Sequence, residues 1–190
     1  MRVIAGTARS LPLKTPMGLD TRPTTDRIKE TLFNILQNDV PGSVFVDLYA
    51  GSGAIGIEAL SRGATKAYFA ENAAPAIQCL QQNLVFTRFT EKAILLKQDA
   101  VAALSSIHEK HVDIVFMDAP YEQGQDKRVL SSLKSMPYVD ENTLIIIEED
   151  KKTNFDYLSD LGYDMIRQKQ YKTNQHVFLK KRLNQEVNHD

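Results

Sequence analysis

Residues 47–56, Asp-Leu-Tyr-Ala-Gly-Ser-Gly-Ala-Ile-Gly, set a glycine-rich turn between two segments of different period. Before the turn, 44–49 is a short apolar run bounded by Pro41-Gly42, which reads as a buried parallel strand. After it, 54–62 has helical spacing, and Gly63 stands where a left-handed C-cap would stop a helix. The pattern then repeats. Strands are expected at 66–71, 93–97, 112–117 and 143–147, separated by helices at 73–86, 100–109 and 126–136. Repeated β-α units require parallel strands and right-handed crossovers, so the expected fold is α/β, a doubly wound and mostly parallel sheet. A short helix near 154–161 and strands near 163–170 and 175–181, turning at 172–174, would close it with one antiparallel strand.

With 190 residues, 43% of them hydrophobic, the chain can bury one sizeable core. The expected organisation is an extension at 1–40, a core at 41–182 and a polar tail at 183–190, together a single domain. The extension would hold a hairpin (2–6 with 10–14) and a helix after Pro23, capped by Thr24 or Thr25. Ile28, Leu32, Ile35 and Leu36 would form its buried stripe. Cys79, the only cysteine, falls among Ile77, Leu80 and Leu84 and reads as a small buried hydrophobe. No apolar run suits a membrane span and no signal-peptide pattern opens the chain, so a cytoplasmic location is expected.

The net charge of −1 argues against a nucleic-acid binder, but its distribution does not. Residues 1–30 carry six Lys/Arg against three acids, 151–182 carry eight against three, and 31–150 carry nine against sixteen. Basic ends around an acidic middle imply a phosphate-contacting rim about a site that receives positive charge. Arg2, Arg9, Lys14, Arg22, Arg27, Lys169 and Lys172 are the candidate phosphate contacts, with plain solubility as the alternative; Lys29 reads as a surface charge. His108 and His111 read as solvated, and His176 and His189 as isolated, so no metal is expected. Glu148-Glu149-Asp150 reads as a solvated strand end.

Gly51-Ser-Gly53-Ala-Ile-Gly56 satisfies G-x-G-x-x-G, and Glu71 follows at the end of the second strand. That is also the dinucleotide fingerprint of nicotinamide dehydrogenases. Asp47 counts against that reading, because a carboxylate beneath the loop opposes a pyrophosphate but suits the ammonium of a methionine moiety. Under an S-adenosylmethionine reading, the glycines admit the cofactor closely, Glu71 accepts both ribose hydroxyls, and Asp99-Ala100 bracket the adenine. Tyr49, Ser52 and Asn72 complete this set, with Arg22 and Thr24 from the proline-threonine boundary and Asp118 across the crevice.

Asp118-Ala119-Pro120-Tyr121 follows the fourth strand, at the carboxyl edge where such sheets bind ligands. An exocyclic base amine is a poor nucleophile because its lone pair is delocalised into the ring. Asp118 and the carbonyl of Ala119 could each accept one N–H and aim that lone pair. Pro120 keeps Ala119 extended, and Tyr121 could stack on the base. In-line displacement from a cationic sulfur would depend more on positioning than on a strong base. Guanine N2 and adenine N6 fit this tetrapeptide equally well.

These motifs, with Arg22-Pro-Thr-Thr-Asp-Arg-Ile-Lys-Glu-Thr-Leu-Phe-Asn34 and Arg2-Val-Ile-Ala-Gly6, resemble the bacterial RsmD family over about residues 1–182. The resemblance implies a class I methyltransferase sheet of seven strands. It implies an S-adenosylmethionine-dependent methyltransferase acting on the N2 amine of one guanine (guanine 966) of 16S rRNA, within the small ribosomal subunit. It further implies cofactor contacts from the segments holding Asp47, Gly51, Gly53, Glu71 and Asp99, and a substrate site at 118–121. A monomer without metal or membrane partner is expected. One departure stands out: the family's usual Asp-Pro-Pro-Tyr has Ala119 in place of its first proline. Alanine keeps the needed main-chain oxygen but leaves φ unlocked, so a slower enzyme is expected. An adenine-N6 methyltransferase, a nicotinamide dehydrogenase and a catalytically silent RNA-binding homologue are the competing readings.

Overall fold

The computed structural model describes residues 1–16, 25–120 and 124–182. Its strands are β1 (Val44–Asp47), β2 (Lys66–Ala70), β3 (Ala93–Leu96), β4 (Ile114–Met117), β5 (Leu144–Asp150), β6 (Tyr163–Gln170) and β7 (Asn174–Lys181). They form one seven-stranded sheet in the order β3-β2-β1-β4-β5-β7-β6. All neighbouring pairs from β3 to β5 are parallel, and β7 is antiparallel to both β5 and β6. The helices are α1 (Asp26–Ile35), α2 (Ala54–Ser61), α3 (Ala74–Thr87), α4 (Ala100–Leu104) and α5 (Gln125–Leu133). This is the class I methyltransferase architecture. The chain winds from β1 out to β3 and then returns to β4 on the other side of β1. That reversal opens a crevice between β1 and β4 at their carboxyl ends.

Alternation along the strands divides the core into two faces. Phe45, Phe69, Phe116, Ile146 and Phe178 pack with Leu32, Phe33, Ile57, Leu60 and Leu80 from α1, α2 and α3. Val46, Tyr68, Val115, Ile145, Ile147 and Val177 pack with Ala103, Leu104, Val129 and Leu130 from α4 and α5. Cys79 lies in this interior, buried on α3, and burial pushes its thiol up. Among the described residues, no helix is long and apolar enough to cross a membrane.

Several expected elements change in detail. The hairpin at 2–6 and 10–14 reduces to a single bridge between Arg2 and Pro12. Cross-strand bonds remain, Val3 N–H donating to the Leu11 carbonyl, Ser10 N–H to that of Val3 and Leu13 N–H to that of Met1. Ile4 and Ala5 N–H donate instead to the Glu58 carboxylate at 2.8 and 3.0 Å, and Ala8 N–H donates to Ser61 Oγ. The first residues therefore pair with each other and are also tied to α2. Thr25 caps α1 by accepting from Ile28 N–H, and Thr24 lies outside the described residues. On α1, Leu32 and Leu36 are buried as expected, but so is Lys29, which was read as a surface charge. Lys29 Nζ donates to the Arg2 carbonyl at 2.6 Å and stands 3.4 Å from Glu58, whose other oxygen holds Arg62. Burial lowers the Lys29 pKa, while Glu58 opposes the shift. The helix expected near 154–161 is a single 3-10 turn at Asp156–Leu158, and α4 stops at Leu104.

The last correction bears on the site. Glu148 and Glu149 are not at a solvated edge: β5 runs on to Asp150, and β7 pairs along its whole end, Glu148 opposite His176 and Asp150 opposite Asn174. Glu148 and His176 are buried, so His176 is not isolated. His111 is also partnered, by Asp140 at 3.1 Å and Asp113 at 3.6 Å.

Candidate active site

The crevice between β1 and β4 widens into a cavity of about 560 Å³. Each strand on this side of the sheet delivers a residue to it as the chain leaves the carboxyl edge. Asp47 ends β1, Glu71 follows β2, Asp99 follows β3 and Asp118 follows β4, and all four carboxylates line the cavity. Tyr49, Gly51, Ser52, Asn72, Ala100 and Pro120 line it too. No lysine, arginine or histidine is among the described lining residues. A hollow bordered by four acids, with no basic side chain among its described lining residues, favours a cationic guest.

Asp47 is the deepest of the four, 1% exposed. Gly56 N–H donates to its Oδ2 at 3.3 Å, while Oδ1 is buried without a partner. Burial pushes its carboxyl up to about 7, with backbone N–H groups of Gly56 and Tyr49 opposing and Glu71 adding to the rise. The Tyr49 hydroxyl is a second buried polar atom without a partner, raised to about 12 chiefly by burial. Two unsatisfied polar atoms on one cavity wall call for a ligand able to pair with them.

Glu71 does more than await a ligand. Its Oε2 accepts from Gly51 N–H at 2.9 Å, and Oε1 accepts from the N–H groups of Asn72 and Ala73. The carboxylate thus pins the glycine loop to the end of β2, leaving further lone pairs toward the cavity. Asp99 caps α4 in a similar way, accepting from Val101 and Ala102 N–H at 3.1 Å each. The glycines divide by task. Gly51, at φ +53°, has open space where a Cβ would stand and faces the cavity. Gly53, at φ +82°, is not among the lining residues, and a Cβ there would fall 2.2 Å from Leu80. Gly53 therefore serves the turn and the core behind it.

Asp118 is half-buried, and Ala119 behind it is buried. Burial first, then Glu148, Asp47 and Glu149, push the Asp118 carboxyl well above the usual carboxylate range. Tyr121, Arg22 and Thr24 lie outside the described residues. Met1, Thr15, Pro16, Gln98, Phe116 and Gln125 also border the cavity and were not singled out from sequence. Gln98 had a usable signal, since it lies two residues past the end of β3, beside Asp99 on the edge that already supplies the acids. The approach of residues 1–16 depends on α2 and α3 and had none.

The basic candidates lie on two flanks. Lys14 precedes the lining residues Thr15 and Pro16, and its Nζ donates to Gln82 Oε1 at 2.8 Å. Lys169 pairs across β6–β7 with His176, and Lys172 sits on the exposed turn between those strands. Arg9 and Arg27 are exposed, and Arg2 pairs with Asp26 at 3.2 Å.

A family model described as "Conserved hypothetical protein 95" matches residues 1–180. The chain belongs to the RsmD family. It is 37% identical over 155 residues to ribosomal RNA small subunit methyltransferase D of Haemophilus influenzae, covering 80% of this chain and 79% of that one. It is 36% identical over 154 residues to YlbH of Bacillus subtilis, provisionally described as an rRNA methyltransferase, covering 80% and 84%. Among solved structures, yhhF of Escherichia coli, provisionally described as a methyltransferase, superposes with a TM-score of 0.82 at 30% identity. The match covers 96% of this chain and 98% of that one. Membership in the family removes the dehydrogenase reading of the glycine loop.

Proposed function

We propose that this protein methylates 16S rRNA, transferring the methyl group of S-adenosylmethionine to the exocyclic N2 amine of guanine 966 in the small ribosomal subunit. The observation that carries this reading is that Asp47 and Asp118 meet in one cavity across the β1–β4 reversal. The rRNA named for the H. influenzae relative supplies the substrate class. The choice of guanine N2 rests on the family, since an adenine N6 amine offers the same two N–H bonds.

The site's features fit the cofactor. Asp47 Oδ1, buried and unpaired, would take the methionine ammonium, and the four acids would suit a molecule carrying two positive centres. Glu71 would receive the ribose, the Asp99–Ala100 turn would border the adenine, and Gly51 would let the main chain approach. S-adenosylmethionine, when bound, supplies an electrophilic methyl on cationic sulfur. The protein's part is alignment: Asp118 and the Ala119 carbonyl hold the two amine hydrogens, turning the nitrogen lone pair toward the carbon it attacks. Pro120 directs that carbonyl. Lys14 on one flank and Lys169 with Lys172 on the other would hold phosphates while the target base enters the cavity mouth. A base in a loop can be splayed into such a mouth at modest cost.

Mass spectrometry of 16S RNA nucleosides from a deletion strain, with and without this protein, tests the reading. N2-methylguanine should return with the wild-type protein and not with Asp118→Ala, while calorimetry should find S-adenosylmethionine affinity largely unchanged in that variant. Methylation by Asp118→Ala near the wild-type level would reject the role given to Asp118. N6-methyladenine appearing instead would reject the choice of base.

A further inference from the structure

Beside Asp118 stands a buried polar row that the proposed chemistry has not used. In the β4–β5 ladder Met117 is paired with Ile147, so Asp118 and Glu148 are the next neighbours and share a face with Phe116 and Ile146. Glu148 is 4% exposed, and both its oxygens are occupied. Asn174 Nδ2 donates to Oε1 at 2.6 Å, and His176 Nε2 lies 2.9 Å from Oε2, to which its Nε2–H tautomer donates. His176 is fully buried, and its Nδ1 accepts from the Tyr171 hydroxyl at 3.0 Å. Tyr171, His176, Glu148 and Asn174 thus form a continuous chain across the end of the sheet. Apolar packing would not select such a set, because burying polar groups is costly and Asn174 Oδ1 is even left buried without a partner.

We propose that Glu148, clamped by His176 and Asn174, is a positioning residue for the methyl transfer, fixing Asp118 rather than itself as the carboxyl group that takes the amine's proton. This rests on the methyltransferase reading above. As the nitrogen–carbon bond forms and the carbon–sulfur bond breaks, sulfur keeps the bonding pair and the amine nitrogen becomes cationic. Its proton then passes to an Asp118 oxygen, leaving a neutral methylamine and a neutral carboxyl group. The amine's proton has two neighbouring carboxyl groups it could pass to, Asp118 at the end of β4 and Glu148 on β5. On Glu148 that proton would compete with a donor already in place at either oxygen. On Asp118 no such donor stands among the described residues. The groups acting on Asp118 are Glu148 and Glu149 from β5 and Asp47 from β1; Asp126 of α5 stands behind Glu149, and Tyr171 and His176 stand behind Glu148. The carboxylates all raise the proton affinity of Asp118, in keeping with that role.

The test is the pH profile of the single-turnover rate on small subunits purified from a deletion strain. Glu148→Gln should move the acidic limb of the profile down by about one pH unit and lower the plateau, with S-adenosylmethionine affinity little changed. His176→Gln keeps a donor to Glu148 and should leave the limb in place. Should Glu148→Gln fail to fold, Asn174→Leu strips one donor from Glu148 and should move the limb in the same direction by less. A folded Glu148→Gln or Asn174→Leu protein whose limb coincides with the wild type would overturn the proposal, and a purely structural role would give that result. A wild-type protein that methylates no small subunits would sink the functional reading and this inference together; an active one with an unmoved limb sinks the inference alone.

Discussion

Replacing Asp47 by asparagine should strengthen the free fold and weaken cofactor binding in the same molecule. Burial holds the Asp47 carboxyl at about 7, against an ordinary value of 3.8. Its folded-state pKa is raised, so the stability linked to it is fully present below the ordinary value and drains away as pH climbs toward 7. About three units at roughly 1.4 kcal/mol each give on the order of 4 kcal/mol lost between pH 4 and pH 7. Asparagine cannot ionise. Its oxygen can accept from Gly56 N–H while its amide points where Oδ1 now lies unpaired. The stability difference between Asp47→Asn and wild type should therefore be near zero at pH 4, grow with pH and level off just above 7. Urea denaturation at pH 4, 5, 6, 7 and 8 reads this directly. Calorimetry at pH 8 should show S-adenosylmethionine binding weakened by a factor of about 100 or more, since a paired and buried charge is worth about 3 kcal/mol. A stability difference that is flat across this range would refute the account of Asp47, and so would unimpaired binding.

Gly56→Ala would place a Cβ 2.3 Å from the Phe69 ring, which is fully buried, and should cost about 1–3 kcal/mol by thermal or urea unfolding. Lys29→Met removes the donor to the Arg2 carbonyl and one of two cations on Glu58. A loss of roughly 2–4 kcal/mol is expected by the same measurement, softened because Arg62 remains at 2.8 Å. If the basic flanks meet phosphate, affinity for small-subunit RNA should fall steeply with salt. Lys14→Ala and Lys172→Ala should each then reduce the slope of log K against log salt by about one.

The sheet and the acids that line the cavity could be read from the sequence because their signals are local. Asp47, Gly51 and Gly63 sit within a single strand-turn-helix passage, and Asp118 follows a short apolar strand that ends in Pro120. Each is interpretable within about ten residues. What stayed hidden was decided by distant partners. Lys29 reads as surface until Glu58 is found beside it, and Glu148 reads as a solvated end until β7 brings His176 opposite. The alternation at residues 2–14 reads as a hairpin and keeps its cross-strand bonds, but nothing local announces that Ile4 and Ala5 also donate to Glu58 of α2. Gly53 fits a ligand-loop motif but answers to Leu80. A motif records which residue stands where, not which neighbour claims it.

The strand order has a consequence for when the protein can work during its own synthesis. Among the described strands β7 comes last in the chain, yet it slots inside the sheet, between β5 and β6. It carries Asn174 and His176, the two donors that occupy Glu148 beside Asp118. A nascent chain that had emerged only as far as β5 would possess the glycine loop and all four cavity acids, but its β5 edge would be open and sticky. The wall beside Asp118 is therefore completed only when the β6–β7 hairpin pairs with β5, and a chain truncated before residue 174 is left with an unfinished wall.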